Sequence, residues 1–86
     1  MQPTDVILRP VSSESALEKV EKENKLIFIV DPKSNKTQIK QAVEKLYGVK
    51  VKSVNTQITP TAEKKASVVL EKEFSATELA TKIGLL

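Results

Sequence analysis

Apolar and polar positions alternate along this chain with two periods, and the periods divide it into elements. Lys25-Leu-Ile-Phe-Ile-Val30 is the clearest strand. Its apolar residues do not alternate with polar ones: Leu26, Phe28 and Val30 fall on one side, Ile27 and Ile29 on the other. That pattern predicts a central strand covered on both faces. Asp5 to Leu8 forms a shorter apolar run, stopped by Arg9-Pro10, and predicts a short strand. Val49-Lys-Val-Lys-Ser-Val54 starts as an alternating strand with Val49 and Val51 inward and Lys50 and Lys52 outward. Val54 breaks the parity, which predicts a bulge or a change of burial before the strand runs on to Ile58. After Thr59-Pro60-Thr61-Ala62-Glu63, the segment Lys64–Leu70 returns with Ala66, Val68 and Leu70 on one face, giving a hairpin.

Helices are marked by period and by their ends. Ser12 and Ser13 can cap a helix whose apolar positions are Ala16, Leu17 and Val20, with Asn24 suited to a left-handed stop. Asn35 and Gln38 stand three apart as a capping box. Ile39, Ala42, Val43, Leu46 and Tyr47 then form one helical stripe, and Gly48 is a ready terminator. Ser75 and Glu78 repeat the capping-box spacing, Phe74 can staple onto Leu79, and Gly84 ends the last helix. The predicted order is β-α-β-α-β-β-α. It predicts a single α/β (α+β) domain over residues 1–86, with helices packed against a mainly antiparallel four-stranded sheet. A ferredoxin-like arrangement or a split variant of it fits that order.

Composition narrows the chemistry. The 86 residues contain no Cys, no His and only two Gly. Disulfides, thiolate metal sites, the commonest general base and a glycine-rich phosphate loop are all excluded. The expectation is no catalytic residue, no cofactor and no metal. The first residues carry no basic cluster followed by an apolar stretch, so no secretory signal is expected. No apolar run is long enough to predict a membrane span.

Charge is distributed unevenly. Residues 33–65 hold eight lysines against two acids, a local +6 in a chain whose total is +3. Such a segment suits a polyanion. The same lysines could also be a solvated face or contact an acidic protein. Lys36 and Lys40 lie one turn apart at a helix start, where the backbone adds positive partial charge. Lys50 and Lys52 are expected on one strand face, with Asn55 and Thr56 able to hydrogen-bond to sugar, phosphate or base edges. Lys64 and Lys65 occupy adjacent strand positions and must point to opposite faces, so that one could meet a nucleic acid while the other meets solvent or another phosphate. Lys33 follows the central strand. Arg9 could hold a phosphate in bidentate fashion or pair with an acid of the same chain. Phe28, Tyr47 and Phe74 are expected in the core, so stacking platforms for single strands are missing. Leu85 and Leu86 could pack on the domain or form an exposed patch.

Three segments in order resemble the universal ribosomal protein L23 family: Asn35-Lys-Thr-Gln-Ile-Lys-Gln-Ala-Val-Glu44, Val49-Lys-Val-Lys-Ser-Val-Asn-Thr56 and Lys64-Lys-Ala-Ser-Val-Val-Leu70. Arg9-Pro10-Val11 and Ser13-Glu14 match the family's opening. The short hairpin connection resembles the archaeal form. Three positions depart from the family pattern: Ser15 and Asn35 stand where Lys and Thr are usual, and Glu63 where Gly is usual. The resemblance implies a cytoplasmic structural protein of the large ribosomal subunit, bound to rRNA near the polypeptide exit tunnel. It implies neighbouring large-subunit proteins as partners, and docking of the signal recognition particle and the protein-conducting channel. It implies neither DNA binding nor direct membrane insertion. The RNA-binding residues expected are Arg9, Lys33, Lys36, Lys40, Lys50, Lys52, Asn55, Thr56, Lys64 and Lys65.

Overall fold

The computed structural model describes residues 3–85, with side chains from Asp5 onward. The elements are α1 (Pro3–Val6), β1 (Ile7–Pro10), α2 (Glu14–Glu23), β2 (Lys25–Val30), α3 (Lys36–Tyr47), β3 (Val51–Ile58), β4 (Lys64–Leu70) and α4 (Ala76–Lys82). The four strands form one antiparallel sheet in the order β1-β2-β4-β3. The order predicted from the sequence holds, with one helical turn added at its start. Pro3 opens that turn, where its fixed φ is already helical and its missing N–H has no helical partner to lose. The first strand therefore lies two residues later than the apolar run suggests, and it includes Pro10. An edge strand tolerates this proline because one side of its ladder is unpaired.

β2 is internal, as its uniform apolar pattern predicts, and all five residues from Leu26 to Val30 are buried. Leu26, Phe28 and Val30 share the core face of the sheet with Val54, Ala66, Val68 and Leu70. Ile39, Ala42 and Val43 of α3 and Ala76, Leu79 and Ala80 of α4 complete the same cluster. The rings of Phe28 and Tyr47 stack with centroids 5.9 Å apart. Full burial of a side chain such as Phe28 contributes roughly 1.5–3 kcal/mol.

Both edge strands carry an irregularity. In β3 the register passes from Val51↔Leu70 directly to Ser53↔Val69, which leaves Lys52 as an extra residue. This is the parity break visible at Val54. A one-residue slip exchanges the two faces. After it, Val54, Thr56 and Ile58 take the core side, while Ser53, Asn55 and Gln57 take the back. In β1 the shift falls between Ile7 and Arg9 and leaves Leu8 exposed.

The predicted helix ends form as local chemistry dictates. Ser13 Oγ accepts from Ala16 N and Asn35 and Gln38 close a complete capping box, whereas of the box expected at Ser75 and Glu78 only the bond from Glu78 N to Ser75 Oγ forms. Asn24 and Gly48 adopt the left-handed conformation. Asn24 does more than its position in the sequence suggests. Its Nδ2 donates to the carbonyls of Leu70 (3.3 Å), Glu71 (3.5 Å) and Phe74 (3.0 Å). Its Oδ1 accepts from Ala76 N at 2.7 Å. One partly buried side chain thus joins the end of α2 to the β4–α4 connection. At the far end, Leu85 N donates to Ala80 O at 2.8 Å and the Leu85 side chain packs on the core. Leu86 lies outside the described residues.

Candidate nucleic-acid interface

The ten residues singled out from sequence do not gather into one patch. The register distributes them over two ends and two faces of the sheet. At one end lie the β3–β4 turn, the last residue of β2 and the start of α3. Arg9, Lys33, Lys36, Lys64 and Lys65 belong to this end. Lys50 and Lys52 lie at the other end, beside the start of β3. Lys52 and Ile58 are six residues apart, roughly 20 Å along a strand.

On α3, Lys36 and Lys40 are exposed, as expected for a face turned away from Ile39 and Val43. The capping box orders the first turn beneath them, so the helix N-terminus adds its positive partial charge beside both ammonium groups. Neither lysine forms an ion pair among the described residues. Lys33, also exposed, follows β2 in a turn closed by Asp31, whose Oδ1 accepts from Lys33 N at 2.8 Å.

The hairpin base differs. Lys64 pairs across the ladder with Val30 and Ile58 on the core side, and Lys65 with Ile29 and Gln57 on the back. Their opposite orientation is as expected, and Lys64 also has a partner within the chain. Its ammonium group donates to the backbone carbonyl of Ser34. Ser34 is itself buried, and its Oγ donates to Asp31 O at 2.6 Å. Lys64 therefore ties β4 to the β2–α3 connection and supports the loop that launches α3.

Arg9 takes the intrachain alternative. Its Nη2 lies 2.8 Å from Glu63 Oε2, with both side chains largely solvated. In this environment such a pair contributes little, at most about 1 kcal/mol. Glu63 also shapes the turn. Glu63 O accepts from Thr59 N, Glu63 N donates to Thr59 Oγ1, and Ala62 N closes a β-turn onto Thr59 O. The positive φ of this turn, +65°, falls on Ala62, not at position 63. A residue other than glycine can thus stand at 63.

Lys50 and Lys52 are both exposed. However, Lys50 precedes β3 and Lys52 is the bulged residue, so the regular two-step strand spacing expected for them is not present. Lys50 O accepts from Glu71 N at 2.9 Å. Asn55 and Thr56 part company: Asn55 is exposed on the back face, whereas Thr56 faces the core side opposite Ala66 and is half-buried.

The back face of β3 and β4 holds residues that sequence reasoning passed over. Cross-strand pairs there are Ser53 with Val69, Asn55 with Ser67 and Gln57 with Lys65. The signal was the period of two running from Asn55 to Ser53 and Gln57. A different surface lies between the end of α3 and α4. It is a cleft lined by Tyr47, Val49, Phe74 and Leu79, with Glu73, Glu78 and Lys82 among its walls. Burial pushes the Tyr47 phenol above its ordinary pKa. Two carboxylates make this cleft unsuited to phosphate. Among the described residues, no group of three or more acidic side chains is arranged to hold a metal ion, and no helix is long and apolar enough to cross a membrane.

Comparison with known proteins agrees with the resemblance seen in the residues. The family described as Ribosomal protein L23 matches residues 5–81. The large ribosomal subunit protein uL23 of Dictyostelium discoideum is 51% identical over 81 residues, which cover 94% of this chain and 48% of that protein. The chain thus spans about half the length of this curated relative. It belongs to the ribosomal protein L23 family, a family of structural ribosomal proteins and not of enzymes.

Proposed function

We propose that this chain is a structural constituent of the large ribosomal subunit, held there by large-subunit rRNA. The observation that carries the proposal is the family match over residues 5–81, which runs through every lysine of the basic middle segment. The geometry supports it in two ways. Lys36 and Lys40 present two solvated charges over an ordered helix start, a preformed phosphate site. Lys33, Lys50, Lys52 and Lys65 surround the sheet at both ends and fit a folded RNA that contacts more than one edge, with Arg9 held in reserve by Glu63. Asn55 adds a hydrogen-bonding group between them, and Lys64 acts indirectly by holding the loop before α3. The likeness further suggests a place in the cytoplasmic ribosome near the polypeptide exit, beside other large-subunit proteins, within a platform on which the signal recognition particle and the protein-conducting channel dock.

The test is affinity for a folded large-subunit rRNA fragment as salt is raised. Binding should weaken steeply, because each phosphate neutralised releases a counterion. Co-sedimentation with large subunits from cell extract checks the assembly. Absence of rRNA binding at low salt, or a preference for unstructured RNA, would overturn the proposal.

A further inference from the structure

We infer that the back face of β3 and β4 recognises the ribose edge of double-helical RNA, through hydrogen bonds to 2′-hydroxyl groups across the shallow minor groove. The inference rests on the rRNA-binding reading and names a second mode of contact within it. Ser53, Asn55 and Gln57 project from β3 on this face and are all exposed. Ser67 and Lys65 stand opposite Asn55 and Gln57 on β4 and are partly accessible. From Ser53 to Gln57 the row covers roughly 13 Å.

The chemistry of these groups selects the ligand. Neutral side chains can hydrogen-bond to phosphate, but tight phosphate binding favours cations, and this face offers four neutral polar side chains, one lysine and the half-buried Val69. Base stacking calls for aromatics, and neither strand has any. A 2′-hydroxyl both donates and accepts, and so do amides and serine hydroxyls. A-form RNA presents its 2′-hydroxyls in a wide, shallow groove that a flat two-stranded surface can approach, whereas its major groove is too narrow. Charge permits the approach. β3 and β4 contain Lys52, Lys64 and Lys65 and no acidic residue, so nothing on these strands repels the phosphates bordering the groove. Lys52 at the bulge and Lys65 near the turn stand toward opposite ends of the polar row, where bordering phosphates would lie.

The experiment compares a mixed-sequence RNA stem-loop with the same stem carrying 2′-fluoro riboses, which keep the A-form but cannot donate. The native protein should prefer the unmodified stem by about thirtyfold, the order expected for two neutral hydrogen bonds. Asn55→Ala/Gln57→Ala should reduce that preference to near parity and leave the salt slope unchanged. Lys36→Ala/Lys40→Ala should do the reverse. Ser53→Val, which keeps strand propensity, guards against loss of the edge strand and should also lessen the preference. Tight RNA binding without a ribose preference, or a preference unaltered in all back-face variants, overturns this inference alone. Failure of the native protein to bind any RNA overturns it together with the function on which it rests.

Discussion

The lysines of α3 and those at the base of the hairpin look alike in the sequence and behave differently in the fold. Lys36 and Lys40 stand on an exposed helix face, and neither is ion-paired among the described residues. Lys64 is committed to the carbonyl of Ser34, and Arg9 of the neighbouring edge is held by Glu63. A basic residue in a lysine-rich segment can thus stand open to a ligand or be engaged within the chain. Local charge does not distinguish the two. What distinguishes them is whether the folded chain offers an acceptor within reach.

The sharpest way to break this comparison is to remove the α3 pair. Lys36→Ala/Lys40→Ala should lower the salt slope of rRNA binding by up to about two units and weaken affinity by about tenfold at moderate salt. Thermal unfolding should barely change, since both side chains are solvated. Lys64→Met should give the opposite signature. Leaving the Ser34 carbonyl without its charged donor should cost about 1–2 kcal/mol in urea unfolding, with a salt slope close to native. A slope loss in Lys64→Met as large as one α3 lysine causes would erase the distinction.

Ala62→Gly probes the turn that separates the two strands. Removing the Cβ from a left-handed residue should stabilise the protein by about 1 kcal/mol, read as a higher urea midpoint at constant m. RNA binding should stay as it is. The smallest effect is expected from Glu63→Gln. Stability should shift by less than about 0.5 kcal/mol, because the Arg9 pair is solvated. Arg9 would then be available to phosphate, so the salt slope should steepen by up to one unit. An unchanged slope would mean that Arg9 faces no RNA even when released.

Much of the fold was legible because its signals are local. The caps at Ser13, Asn35 and Ser75 bond to residues three positions on, and the stops at Asn24 and Gly48 depend on one residue's own φ. The two-sided burial of β2 follows from a run with no polar interruption. Parity exposed the bulge before Val54 even though the register itself could not be seen. The interface was legible only in outline. Residue type and spacing identified the α3 pair and the opposed orientation of Lys64 and Lys65. They could not show that β1 begins with a helical turn before it, that Lys50 stands outside β3, or that Ser53 and Gln57 join Asn55 on an open face.

Apart from α1 and the starts of β1 and β3, the sequence alone determined where helices and strands form, which side of each is apolar, and which stretch of chain is positively charged. Those properties arise within a few residues of one another. Only the tertiary structure decided what each polar group meets. Lys64 and Ser34 are 30 positions apart, Arg9 and Glu63 are 54, and the partners of Asn24 lie 46 to 52 residues away. Such pairs depend on strand order and register, which the packing of the whole core selects. For the same reason the lysine-rich segment is one feature in the sequence and is divided between two ends and two faces of the sheet in the molecule.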